Sequence, residues 1–132
     1  MNIDLRGKNA LVGGSSKGIG RAIAEQLAIS GANVTLMARS EIVLKQAVNL
    51  LNTKTGQNHQ YLVVDFSDFS DFKEKIETYF KNNTVDILIN NTQGPSAGGA
   101  LEKDIEDYQA AFDLLFKCAV LTTSLALPYM QK

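Results

Sequence analysis

Eight consecutive residues, Gly13-Gly14-Ser15-Ser16-Lys17-Gly18-Ile19-Gly20, carry the clearest chemical signal in the chain. Glycines at 14, 18 and 20 lie between an apolar strand candidate, Asn9 to Val12, and a helical pattern from Ile19 to Ser30. A turn built this way bends tightly, lets a phosphate approach the main chain, and packs the following helix close to a sheet. The helix then points its unpaired N–H groups and the positive end of its dipole at the anion. Lys17 sits in the turn, and Arg39-Ser40 follows the second apolar strand candidate. Arg accepts a ribose 2′-phosphate with a planar fork of donors, where a carboxylate would repel it. The alternative is that Lys17 and Arg39 are ordinary solvated charges. Their flanking of one crevice favours the phosphate role, and with it NADP(H). Cys118 and His59 are single, so a metal site built on them is not expected, and Cys118 reads as a packing residue.

The elements that must hold these residues alternate strand and helix. Strands are expected at 9–12, 33–38, 60–64 and 86–89. Helices are expected at 19–30, from Glu41 to about Asn52, after a Ser67 N-cap with Phe69, Phe72, Ile76 and Phe80 on one face, and over 104–130. Gly31 and Gly56 end the first two. Near-continuous apolar strands alternating with helices imply a parallel sheet covered on both faces. Right-handed crossovers give the strand order 3-2-1-4, a Rossmann-type doubly wound α/β domain. The strands' carboxyl ends then gather the Gly-rich and polar segments on one edge: Gly13/Gly14, Ala38/Arg39, Val64/Asp65 and Asn90/Asn91.

Composition bounds the rest. With 132 residues and 45% hydrophobic content, one globular domain over 1–132 is expected, burying roughly two thirds of its unfolded surface. A net charge of −1 without a Lys/Arg cluster argues against a nucleic-acid surface. No apolar run reaches the length of a membrane span on this reading, and the amino terminus has no apolar signal core, so a cytoplasmic location without a membrane partner is expected.

The segments at 13–20, Ala38-Arg39-Ser40, Asp65-Phe66 and Asn90-Asn91-Thr92-Gln93-Gly94 together resemble the short-chain dehydrogenase/reductase family, with 3-oxoacyl-[acyl-carrier-protein] reductases among the nearest look-alikes. The family's Thr-Gly-x-x-x-Gly-x-Gly motif maps onto 13–20, with Gly13 in place of a Thr that braces the turn. Its acidic residue near adenine maps onto Asp65, and its Asn-Asn-Ala-Gly motif onto Asn90 to Gln93, with the final Gly displaced. The resemblance implies dinucleotide binding by Gly14, Ser15, Ser16, Lys17, Gly18, Ile19, Gly20, Arg39, Ser40, Asp65, Phe66, Asn90 and Asn91. It also implies a small carbonyl substrate in a longer parent, and a homo-oligomer joined through the helix at 104–130.

In that family a Ser and a Tyr-x-x-x-Lys follow the fifth strand, and an Asn in the preceding helix helps to hold a relay water. This sequence reaches Lys132 without them and has Leu115 at the Asn position. Tyr129 and Lys132 are one residue too close to be the motif pair. The resemblance therefore implies the amino-terminal, cofactor-binding part of a carbonyl reductase, inactive alone. A non-catalytic nucleotide-binding or interaction module ending at Lys132 is the alternative. A methyltransferase would want an acidic residue where Arg39 stands. The strand at 87–89 should present an unpaired apolar edge, and the helix more apolar surface than one sheet face covers, so self-association is expected.

Overall fold

The computed structural model describes residues 3–92 and 100–131. Gln93 and Gly94 of the Asn-rich motif, and Lys132, lie outside the described residues. Four parallel strands, β1 (Asn9–Val12), β2 (Asn33–Ala38), β3 (Gln60–Val63) and β4 (Ile87–Ile89), stand in the order 3-2-1-4. Register pairs Leu11 with Thr35 and Leu88, and Met37 with Leu62.

Alternation along the strands sorts side chains onto two faces, as a period of two requires. Ala10, Val12, Val34, Leu36 and Ala38 face α1 (Gly18–Ile29) and α2 (Glu41–Leu50). Leu11 and Met37 face α3 (Phe69–Asn82) and the long helix that follows β4. In α1 the buried residues are Gly20, Ala24 and Ala28, one small residue per turn, which brings the helix close to the sheet. Gly31, at φ +104° and buried, turns the chain out of α1 into β2 where a Cβ would press on Arg6. In α3 Phe72, Ile76, Tyr79 and Phe80 are buried, and Phe69 packs at the margin.

Two sequence expectations change. Asp68, not Ser67, caps α3 by accepting from the Asp71 N–H at 3.1 Å. Ser67 instead turns its hydroxyl and its N–H to the Asp65 carboxylate, donating from both, and stands one residue outside the cap. The second change concerns the apolar run. Ile105–Met130 forms 26 residues of helix, of which an 18-residue stretch has mean hydropathy 1.6, long and apolar enough to cross a membrane by length and composition. Asp113 and Lys117 interrupt the run in sequence, yet they pair with each other on one helix face at 3.4 Å.

That helix is not uniform. α4 (Ile105–Phe112), capped by Asp104 in a reciprocal capping box with Asp107, leads through a π-helical turn, Asp113–Lys117, into α5 (Cys118–Met130). Leu114, Cys118, Thr122 and Ala126 are its buried edge. Phe112, Leu115, Phe116 and Val120 are about half exposed, so the surplus of apolar surface expected from the sequence is present. Among the described residues β4 pairs with β1 alone, leaving its other edge open.

Candidate functional site

The glycine turn is shaped by what lies behind it. Gly14 has φ +54° and Gly18 φ +65°, conformations that L side chains rarely adopt. A Cβ at Gly20 would run into the Gly14 carbonyl, so this position must be bare for α1 to start where it does. A Cβ at Gly18 would meet nothing within 4 Å, so its bareness serves the space in front of the turn. Position 13 is equally confined: a Cβ there would collide with the Asn91 carbonyl oxygen. Gly13 is thus matched to a close approach of the end of β4, rather than being a threonine site lacking its brace.

Ser15 has a role the sequence did not disclose. Fully buried, it donates from Oγ to the Val12 carbonyl at 2.8 Å and accepts from the Met37 N–H at 3.0 Å, while its own N–H reaches the Met37 carbonyl at 3.1 Å. It extends the β1–β2 ladder by one rung made partly of side chain, and holds the turn from beneath.

In front of the turn is a cleft of about 450 Å³. Gly14, Ser16, Lys17, Gly18 and Ile19 line one side, and Ala38, Arg39, Ser40 and Val43 line another. Phe66, Asn91 and Thr92 close its inner end. Nine of the thirteen residues expected at a dinucleotide site meet here. Ser15 lies behind the turn, Gly20 supports it, Asp65 is bound to Ser67, and Asn90 faces an adjoining cavity and donates to Thr123 Oγ1 at 3.0 Å. Ala38, Val43 and Thr92 were not expected. Val43 could have been found, since it stands three residues after the Ser40 cap and so on the same side of α2.

Electrostatics of the cleft favour an anion. Ser40, Asp68 and Asp104 cap α2, α3 and α4, but Lys17 at the N-cap of α1 supplies no side-chain acceptor, and the first turn of α1 holds no acidic residue. The N–H groups that open α1 are left to whatever enters the cleft. Lys17 and Arg39 are exposed, and neither is held in a salt bridge among the described residues. Asp65 remains ionised: its carboxyl is held below the ordinary carboxylate range chiefly by the Ser67 hydroxyl, with Arg39 adding a smaller pull.

The adjoining cavity, about 220 Å³, lies between the ends of β1 and β4 and the π turn. Leu115, half exposed, lines it and brings no hydrogen-bonding side chain. Cys118 lies deeper, its thiol pushed up to about 11 by burial and then by the Asp113 charge, and directed at the Phe66 carbonyl at 3.6 Å. Buried in the core cluster with its thiol shifted this way, Cys118 serves packing. His59 is likewise structural: Nδ1 accepts from the Val34 N–H at 3.1 Å, and Nε2 lies 2.7 Å from the Asn52 carbonyl.

Comparison with known proteins agrees with this geometry. An uncharacterized oxidoreductase of Staphylococcus saprophyticus is 31% identical over 129 residues, covering 97% of this chain and 55% of that protein. The structure of L-sorbose reductase from Gluconobacter frateurii, complexed with NADPH and L-sorbose, superposes with a TM-score of 0.86 at 32% identity, covering 99% of this chain and 50% of that one. A 3-oxoacyl (acyl-carrier-protein) reductase from Agrobacterium tumefaciens with NADP bound gives 0.84 at 31% identity, covering 96% and 49%. The chain spans about half the length of these relatives. Its residues 8–132 match the short chain dehydrogenase model, and with the glycine turn, the 3-2-1-4 sheet and the cleft between them, the chain belongs to the short-chain dehydrogenase family of oxidoreductases.

Proposed function

We propose that this chain is the cofactor-binding half of an NADP(H)-dependent short-chain oxidoreductase that reduces a carbonyl, a 3-oxoacyl thioester or a similar compound, to an alcohol. The observation carrying this reading is the start of α1, without a side-chain cap, facing a cleft whose exposed cations, Lys17 and Arg39, form no salt bridge among the described residues. The residues fit such a group: the bare Gly18 leaves room for a pyrophosphate, and Arg39 with Ser40 stands at the end of β2, where a 2′-phosphate would lie. The chemistry such a cofactor supplies when bound is a hydride for the carbonyl carbon.

The work of the chain itself is to bind and orient. Backbone N–H groups at 18–20 and the α1 dipole hold the diphosphate, and Arg39 selects the phosphorylated ribose. Phe66 walls the cleft's inner end, and Asn91 ties that end to the glycine turn. A homo-oligomer through the half-exposed apolar face of 105–130 belongs to the same proposal.

Leu115 supports a second reading, a nucleotide-binding module without turnover, because position 115 brings an aliphatic side chain and no amide to the cavity at the π turn. Calorimetric titration with NADPH and NADH tests the binding both readings share. The 132-residue chain is expected to bind NADPH more tightly and to show no oxidation of NADPH with a 3-oxoacyl thioester. Equal affinities would refute the phosphate assignment. Restored turnover in a longer chain from the same gene would decide for the reductase over the module.

A further inference from the structure

The opposite edge of the sheet carries a second concave site, and its chemistry is different. A cavity of about 190 Å³, the volume of about six liquid waters, opens where the amino ends of β1, β2 and β3 meet the end of α3. Its lining contains no Asp, Glu, His, Lys or Arg, and Tyr79 is its one ionisable side chain. Side-chain amides come from Asn9, Asn33, Asn58, Gln60 and Asn83, and hydroxyls from Thr35, Tyr79 and Thr84.

These groups are fixed before any ligand arrives. Asn9 Nδ2 donates to Thr84 Oγ1 at 3.1 Å, and Asn33 Nδ2 donates to Asn9 Oδ1 at 3.1 Å. Asn33 Oδ1 in turn accepts from the Asn58 N–H at 3.0 Å. On the far side, Gln60 Nε2 donates to Asn83 Oδ1 at 3.0 Å, and Asn83 Nδ2 donates to the Tyr79 carbonyl at 2.9 Å. Tyr79 Oη and Thr35 Oγ1 are 2.8 Å apart. Each of these amide NH₂ groups has two donors and each amide oxygen two lone pairs, so the network consumes roughly half of its capacity and orients the remainder.

We infer that this cavity binds a small, neutral polyhydroxylated molecule of the monosaccharide or cyclic polyol class. A hydroxyl donates and accepts at once, which suits an array of alternating amide N–H and C=O groups; an ion would find no counter-charge in the lining. Burial raises the Tyr79 phenol above its ordinary value, so the lining stays neutral across physiological pH. The site lies at the opposite edge of the sheet from the cleft at the strands' carboxyl ends and shares no lining residue with it.

The experiment is amide-resolved NMR on the 132-residue chain, titrated separately with myo-inositol, D-glucose and inorganic phosphate. The side-chain NH₂ signals of Asn9, Asn33, Asn58 and Gln60 are expected to shift saturably with one or both neutral probes, with a dissociation constant on the order of 1 mM, and not with phosphate. Asn58 and Gln60 are exposed at the rim, so the Asn58→Ala/Gln60→Ala double variant should fold, bind NADPH as before, and lose at least about tenfold in affinity for the responding probe. Shifts that grow linearly without saturation, or that the double variant leaves unchanged, would mean a cavity filled with water only and would overturn the inference. An unaltered NADPH titration in that variant keeps this outcome separate from failure of the cofactor assignment.

Discussion

Asn91 Nδ2 donates to the carbonyl oxygens of both Gly13, at 3.2 Å, and Gly14, at 3.4 Å, so the end of β4 holds the floor of the glycine turn. The same nitrogen lies 2.8 Å from where a Cβ on Gly20 would stand. Side chain, turn and helix start thus form one close-packed unit.

Replacing Asn91 by Ala removes both bonds and leaves the turn without its clamp. Stability should fall by about 1 to 2 kcal/mol in urea titration, and NADPH affinity should fall further than stability alone explains. Unchanged affinity in the folded variant would show that the turn holds its shape without Asn91.

Gly18→Ala and Gly20→Ala separate ligand space from packing. At 18 the added methyl enters the open cleft, and only the left-handed backbone costs stability, about 1 to 2 kcal/mol. Dinucleotide binding should be lost from a protein that still melts cooperatively. At 20 the methyl meets the Gly14 carbonyl, so the variant should unfold at markedly lower urea or fail to accumulate. Circular dichroism with calorimetry reads both, and binding retained by Gly18→Ala would reduce the turn to a connector.

Arg39→Asp should invert cofactor preference. Losing a charge-assisted contact to a 2′-phosphate is worth about 1.5 to 3 kcal/mol, or roughly 10- to 150-fold in NADPH affinity, while NADH binding is kept or improved. NADPH affinity of the unmodified protein should also weaken with salt more steeply than NADH affinity. A variant with both affinities unchanged would place Arg39 outside the site.

The Asp65 carboxyl titrates below its ordinary value because the Ser67 hydroxyl and N–H bond its ionised form. A carboxyl whose folded pKa is depressed contributes stability that is complete above the unfolded value, near 3.9, and is lost as pH falls through the folded value. Ser67→Ala should return the titration toward the ordinary value, and acid unfolding should begin at higher pH. Carboxyl ¹³C chemical shifts follow the first effect, and ellipticity against pH the second. An Asp65 titration unmoved by the substitution would assign the shift to another group.

Periodicity alone located most of the scaffold. Asn9–Val12 and Asn33–Ala38 are apolar runs bounded by polar residues, and the strands occupy those spans. The cleft was legible for a related reason, since a parallel sheet gathers the glycine turn after β1 and Arg39-Ser40 after β2 on one edge. What stayed hidden depends on partners far along the chain. Ser15 looks like a loop serine until Met37 is seen beside it, and Gly13 looks like a missing brace until the Asn91 carbonyl is seen against it. Ser67 had the composition of a cap, but its hydroxyl is turned to the carboxylate two residues before it, and Asp68 is the residue that caps. The π turn at 113–117 has no local signature in Asp-Leu-Leu-Phe-Lys, because the same residues are ordinary α-helix formers.

The clamp between Asn91 and Gly13 also bears on the order in which the chain folds. Contacts that seat β2 on β1 and β3 on β2 join residues 24 and 25 apart, as in Asn33 to Asn9 and Val34 to His59, whereas Asn91 and Gly13 are 78 apart. Closing a loop about three times longer costs roughly 1 kcal/mol more, and pairings between distant segments form slowly. The β1–β2–β3 face can therefore assemble first, with the glycine turn still loose, and the turn acquires its final form only when β4 docks. In stopped-flow refolding, binding competence should then appear after most of the secondary structure, and a dinucleotide present from the start should slow unfolding more than it speeds folding.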